Sequence, residues 1–114
     1  SEVSFKERID NYLYAAELYS KAGKLDDADE MFVRAIRDGN SEQKLKIKLA
    51  RKNIYLSSAK VLEEKGKRAS AVKFYEKVIK MNLEDIEKKE IKGKLITTYK
   101  SLGLFREAKL LEGI

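Results

Sequence analysis

The 114-residue chain carries 25 Lys+Arg against 19 Asp+Glu, a formal +6, with 43% hydrophobic and 39% charged residues. Pro, Cys, His and Trp are absent, which excludes disulfides, thiolate or imidazole metal sites and an imidazole general base, and removes the strongest helix breaker. The length fits one compact domain or a short stack of repeats. No apolar run approaches the ~20 residues that span a bilayer, and no basic-then-apolar signal segment opens the chain. A soluble, cytoplasmic protein is the expectation. Ser1 stands where Met would begin a full chain, which suggests a fragment or an added residue. Abundant Lys, Glu and Ile with a single Gln (Gln43) resembles hyperthermophile usage.

Apolar residues recur at helical spacing throughout. Ser4 and Glu7 form an S-x-x-E capping box that predicts a helix from about Phe5. Its stripe is Phe5, Ile9, Tyr12, Leu13, Ala16 and Tyr19, and Gly23 ends it. A second helix is predicted from about Leu25 to Asp38, with Asp26, Asp27, Asp29 and Glu30 early, where the helix dipole favours acids. Asn40 and Gln43 form a second capping box, opening a third helix that runs to about Lys65 and stops at Gly66. A fourth covers about Arg68 to Met81. Asn82 is the expected cap of a fifth, which runs to Leu102 and stops at Gly103. A short sixth covers about Leu104 to Glu112. Connections this short make neighbours antiparallel.

The helix pairs repeat. Gly23, Gly66 and Gly103 each precede an alanine, Ala28, Ala71 or Ala108, by five residues. Four residues before the glycines stand Tyr19, Leu62 and Tyr99; four after the alanines stand Phe32, Tyr75 and Glu112. The first two units continue to Ala35-Ile36 and Val78-Ile79. The physical reading is that alanine lets the two helices cross closely, the following aromatic fills the space beside it, and glycine permits the tight turn.

These residues resemble tetratricopeptide repeats (TPR), stacked helix-turn-helix units of 34 residues. The first unit matches the family pattern at Tyr12, Ala16, Tyr19, Gly23, Leu25, Ala28, Phe32 and Ala35. The second matches at Tyr55, Ala59, Leu62, Gly66, Ala71, Tyr75 and Ile79, and the third at Leu95, Tyr99, Gly103, Phe105 and Ala108. The glycine spacings, 43 and 37 residues, exceed 34, and the family's helix-B proline is replaced by Asn40 and Leu83. Longer helices of this kind are loosely similar to SNAP-type adaptors. The resemblance implies an all-α fold: a right-handed TPR-like solenoid of three antiparallel helix pairs, six helices in one domain over residues 1–114. Its units would be about 5–39, 41–81 and 83–112. The core would draw on Tyr12, Tyr19, Ala28, Phe32, Ile36, Tyr55, Ala59, Leu62, Ala71, Tyr75, Ile79, Leu95, Tyr99 and Ala108.

The family's geometry implies a partner-binding groove lined by the first helix of each pair. Its positions here would be Asp10, Leu13, Glu17 and Lys21, then Asn53, Leu56, Lys60 and Glu64, then Glu90, Gly93, Thr97 and Ser101. The family's carboxylate clamp uses Lys and Asn where this chain has Leu13 and Glu17, so that clamp is not expected. The competing reading is a merely solvated face. Charge is uneven: residues 1–40 carry 6 basic and 9 acidic groups, residues 41–81 carry 12 and 4, and residues 82–114 carry 7 and 6. Lys44, Lys48, Arg51 and Lys52 share one face of the third helix, a stripe suited to nucleic-acid phosphates or an acidic protein surface, and equally to a solvated face. Lys46 lies off it. The acidic first unit, the basic second and the apolar end at Leu110, Leu111 and Ile114 raise a third possibility, head-to-tail assembly of copies.

Catalysis is not expected. Asp26/Asp27 are accounted for by the helix dipole and Glu84/Glu87 by salt-bridge spacing to Lys88/Lys89. No glycine-rich phosphate loop or calcium-loop spacing occurs. No cofactor or metal is expected. The function implied is a non-catalytic scaffold or adaptor that takes a segment of another protein in its groove. The alternatives are nucleic-acid association through the third helix and a self-assembling module.

Overall fold

The computed structural model describes residues 2–114, with side chains from Ser4 onward. The reading of Ser1 lies outside the described residues. Six helices are present among them: α1 (Glu2–Lys21), α2 (Leu25–Asp38), α3 (Ser41–Glu64), α4 (Arg68–Ile79), α5 (Asp85–Ser101) and α6 (Phe105–Glu112). The chain divides into two compact units, one ending at Ile54 and one from Tyr55 to Ile114, the boundary falling inside α3. The first holds the α1–α2 pair and the start of α3. The second holds the end of α3 paired with α4, then α5 paired with α6.

The pairs share one turn, repeated three times. Gly23, Gly66 and Gly103 have φ of 77°, 76° and 77°, and no other described residue has positive φ. In each turn the glycine N–H donates to the carbonyl three residues back, and the next N–H reaches five back: Lys24 to Tyr19, Lys67 to Leu62 and Leu104 to Tyr99, at 2.8, 2.8 and 2.7 Å. This double closure satisfies the orphan carbonyls of the helix end. The same three residues accept the first bond of the next helix, from Ala28, Ala71 and Ala108. Those alanines are buried to 0%, 0% and 1% exposure. Alanine has no side chain beyond Cβ to hold the helices apart, so each crossing is close.

Two predicted helix starts are corrected. α1 runs through Ser4 from Glu2. The Ser4/Glu7 box therefore lies inside the helix rather than at its start, since no Pro or Gly precedes it to break the helix. Asn82 does not cap α5. α4 ends at Ile79, and α5 starts after an extended Glu84 (φ −68°, ψ 152°). The predicted Asn40/Gln43 box is present, each backbone N–H donating to the other's side-chain oxygen at 2.8 Å.

Most predicted core residues are buried; Tyr12, Tyr19, Ile36 and Ile79 are only half-buried. The core also takes in Ile9, Ala16, Leu25, Ala35, Ile47, Val72, Phe74, Val78 and Ile91. Phe74 meets Tyr55 edge-on, ring centroids 5.4 Å apart, tying α4 to the end of α3.

The glycines provide a direct test of this packing. A Cβ would meet nothing within 4 Å at Gly66 or at Gly93, but only Gly66 has positive φ. Gly66→Ala is expected to destabilise by about 1–2 kcal/mol through left-handed strain alone. Gly93→Ala, in the interior of α5, should stabilise by about 0.5–1 kcal/mol. Ala71→Leu should overpack its crossing and cost about 1–3 kcal/mol. Urea unfolding of the three variants checks all of these.

Candidate functional site

The predicted groove residues were read from helix-A positions, and in the second unit of the structure several of them meet. Leu56 and Lys60 from α3 face Glu87, Glu90, Ile91 and Lys94 from α5 across a recess of about 60 Å³, with Tyr75 of α4 also lining it. Beside it lies a wider, open recess of about 550 Å³, in which Thr97, Gly93 and Ser101 of α5 join Glu63 and Arg68. The two share Lys94, whose ammonium lies 5.6 Å from the Tyr75 ring centroid. That distance is within cation–π range.

Other predicted positions fall elsewhere. Glu64 is exposed and lines neither recess, and Asn53 is exposed in the first unit. Asp10, Leu13, Glu17 and Lys21 share a face of α1 by helical spacing. Glu17 and Lys21 are joined there by a 3.5 Å ion pair. Tyr75, Glu87, Ile91, Lys94, Glu63 and Arg68 were not among the predicted site residues. Glu87 and Ile91 flank the predicted Glu90 on the same helix, and that adjacency was the available signal.

The buried tyrosines of α4 and α5 behave differently. The Tyr99 hydroxyl donates to Glu76 Oε2 at 2.7 Å. Burial first, then that bond and the Glu76 charge, raise its ionisation well above the ordinary tyrosine value. The Tyr75 hydroxyl is buried without a hydrogen-bond partner. Burial, then the neighbouring Glu63 and then Glu90, push its ionisation up as well, although no bond of good geometry forms. A buried donor left unmade costs about 1–3 kcal/mol, so an acceptor entering the recess would find an available partner.

The basic stripe on α3 is thinner than predicted. Arg51 is not free for phosphate: its Nε and Nη2 donate to Asp29 Oδ1 at 3.2 and 2.9 Å, both side chains being mostly buried. The sequence pattern placed Arg51 on the lysine face but carried no sign that α2 presents a carboxylate to it. Lys52 is half-buried and engaged within the chain, which leaves Lys44 and Lys48 exposed. No group of three or more carboxylates able to hold a metal occurs among the described residues. No described helix is long and apolar enough to cross a membrane.

Residues 53–85, from the end of α3 through α4 to the start of α5, match the family model of the tetratricopeptide repeat. The six-helix, all-α architecture is consistent with a TPR-like helical repeat, and the match covers its middle unit. No curated protein and no solved structure matches it, and nothing brings out the looser likeness to SNAP-type adaptors. The matched segment contains Leu56, Lys60 and Tyr75, three of the residues around the smaller recess. TPR repeats generally mediate protein–protein interaction, and in this chain the matched unit carries the turn, the buried alanine and part of that recess.

The tyrosines predict a pH dependence. Unfolded tyrosine ionises near pH 10, while folded Tyr75 and Tyr99 hold their protons higher. Above pH 10 the unfolded state therefore binds fewer protons than the folded state. Stability present below pH 10 should be lost as pH rises, by about 1.4 kcal/mol per pH unit for each tyrosine. Tyr75→Phe and Tyr99→Phe should each remove one share of that slope in urea midpoints measured from about pH 9 to 11.5.

Proposed function

We propose that the protein is a non-catalytic interaction module that holds a segment of another protein along the helix-A faces of α3 and α5. The observation that carries this is the meeting of Leu56, Lys60 and Glu90 with Ile91, Lys94 and the unpartnered Tyr75 hydroxyl in one recess. Apolar contact from Leu56 and Ile91 would supply affinity. Lys60, Lys94, Glu87 and Glu90 would fix the register of a segment bearing both charges. Tyr75 would donate to a carbonyl or carboxylate oxygen of that segment. The small volume suits one such group rather than a whole side chain, and the wider recess beside it leaves room for the segment to continue past Thr97.

The experiment is selection of binders from a displayed library of random twelve-residue peptides, with affinities then measured on Lys60→Glu, Glu90→Lys and Tyr75→Phe variants. The expected result is an enriched motif whose binding weakens about tenfold, 1.4 kcal/mol, on either charge reversal. It should weaken by about 1 kcal/mol on loss of the hydroxyl. Binders indifferent to all three changes would remove this groove from consideration. A gel shift with single-stranded and duplex nucleic acid across a salt series accompanies it. Strong, steeply salt-dependent retention abolished by Lys44→Glu/Lys48→Glu would favour nucleic acid instead.

A further inference from the structure

The first half of α3 carries a surface that neither recess uses. Between Ser41 and Lys52 the chain has five basic residues and one acidic one. Ile47 turns inward, 2% exposed, and Arg51 is held by Asp29 at 2.9 Å. On the opposite side Leu45 and Leu49, about one helical turn apart, are 71% and 54% exposed. Lys44 and Lys48 run along one flank of that pair and Lys46 along the other, all three exposed. Glu42, the acid of this stretch, is joined to Lys46 at 3.6 Å. The stripe lies mid-chain, inside one continuous helix, with helices before and after it.

This combination discriminates among anionic partners. The phosphates of a nucleic acid reward the lysines but gain nothing from a ridge of leucine. Protein interfaces concentrate their energy in aromatic and arginine anchors seated in pockets, and their centres are depleted of lysine. Here the apolar residues are aliphatic, they project from a helix, and lysines stand on both sides of them. That is the arrangement of a helix lying in a bilayer interface. Leucines enter the acyl boundary while lysine stems carry their ammonium groups back to anionic headgroups. We propose that this face of α3 docks the protein reversibly on an anionic lipid surface, with the helix parallel to its plane. Crossing is not involved, since no described helix is long and apolar enough.

The full chain is sedimented with vesicles of phosphatidylcholine and phosphatidylserine in roughly equal parts, and with phosphatidylcholine alone. Binding is expected to the mixed vesicles only, falling as salt rises. Lys44→Glu/Lys48→Glu should lower the partition coefficient about tenfold or more, and Leu45→Ser/Leu49→Ser about tenfold. Both leucines are more than half exposed, so the fold should survive their loss, and far-UV circular dichroism checks that it does. The chain has no Trp, so the indole introduced by Leu45→Trp reports on this site alone. Its emission should shift to the blue on the mixed vesicles, a readout that removes no contact. Leu45→Ser/Leu49→Ser should leave peptide binding at the α3–α5 recess unchanged, so each proposal can fail without the other. This one is overturned by absent binding to the mixed vesicles, by equal binding to phosphatidylcholine alone, by binding indifferent to the leucines, or by an unshifted emission. It is also overturned if duplex DNA or polyglutamate retains the chain where the vesicles do not.

Discussion

The structure depends on a glycine that can take φ near +77° at the end of a helix. With that angle available, two backbone bonds close the first helix and the very next carbonyl opens the second, so the reversal takes three residues. The following side chain is Lys24, Lys67 or Leu104, and none of the three supplies a side-chain cap. Backbone geometry therefore sets the turn, whatever chemistry flanks it. Because the turn fixes where the second helix starts, its phase is fixed too, and the alanine five residues past the glycine falls at the crossing each time. A larger side chain there would separate the helices; a residue with negative φ at the glycine would misplace the alanine.

That constraint determines which side chains remain for contact with a partner. On α5, Leu95 and Tyr99 are buried, while Glu87, Glu90 and Lys94 project toward the end of α3. The pair Tyr75 and Tyr99 shows how finely this divides. Both rings are buried, yet one hydroxyl reaches Glu76 and the other reaches nothing. Packing of the ring at the Ala71 crossing outweighs the unmade bond. A polar atom is thereby held at the edge of a recess by forces unrelated to the recess.

Much of this could be read from the sequence, for identifiable reasons. The glycine–alanine spacing was legible because it is a backbone requirement that few residue types satisfy. The Asn40/Gln43 box was legible because Gly39 and Asn40 interrupt the helix ahead of it, whereas nothing ahead of Ser4 does. Asn82 misled because a capping residue signals a helix start only where the chain turns into the helix, and here Leu83 and Glu84 intervene. Phe74 and Val72 were missed because the repeat spacing marked only Ala71, Tyr75 and Ile79, while α4 is apolar over a wider arc. Leu56, Lys60 and Glu90 were placed by helix-A positions alone. Lys94 and Tyr75 needed the actual approach of α5 to α4, which no local pattern encodes.

Charge was the least legible property, since what matters is whether the chain already uses it. Lys21, Arg34 and Lys46 are each joined to a glutamate four residues earlier on the same helix, and Arg51 is joined to Asp29 across helices. The exposed pairs among them add little to stability, but every pair reduces the field that a partner would meet. A count of basic residues along α3 therefore overstates its attraction for phosphate. Lys80, Lys88 and Lys92 contribute no more to the count, yet they line a groove with Leu95, Leu110 and Ile114, beside Glu76 and Glu107. A charge there is partly shielded from water, so each interaction is stronger than the same contact on the open face of α3. Position beside apolar surface, more than a count of lysines, sets how strongly a charge on this chain can act.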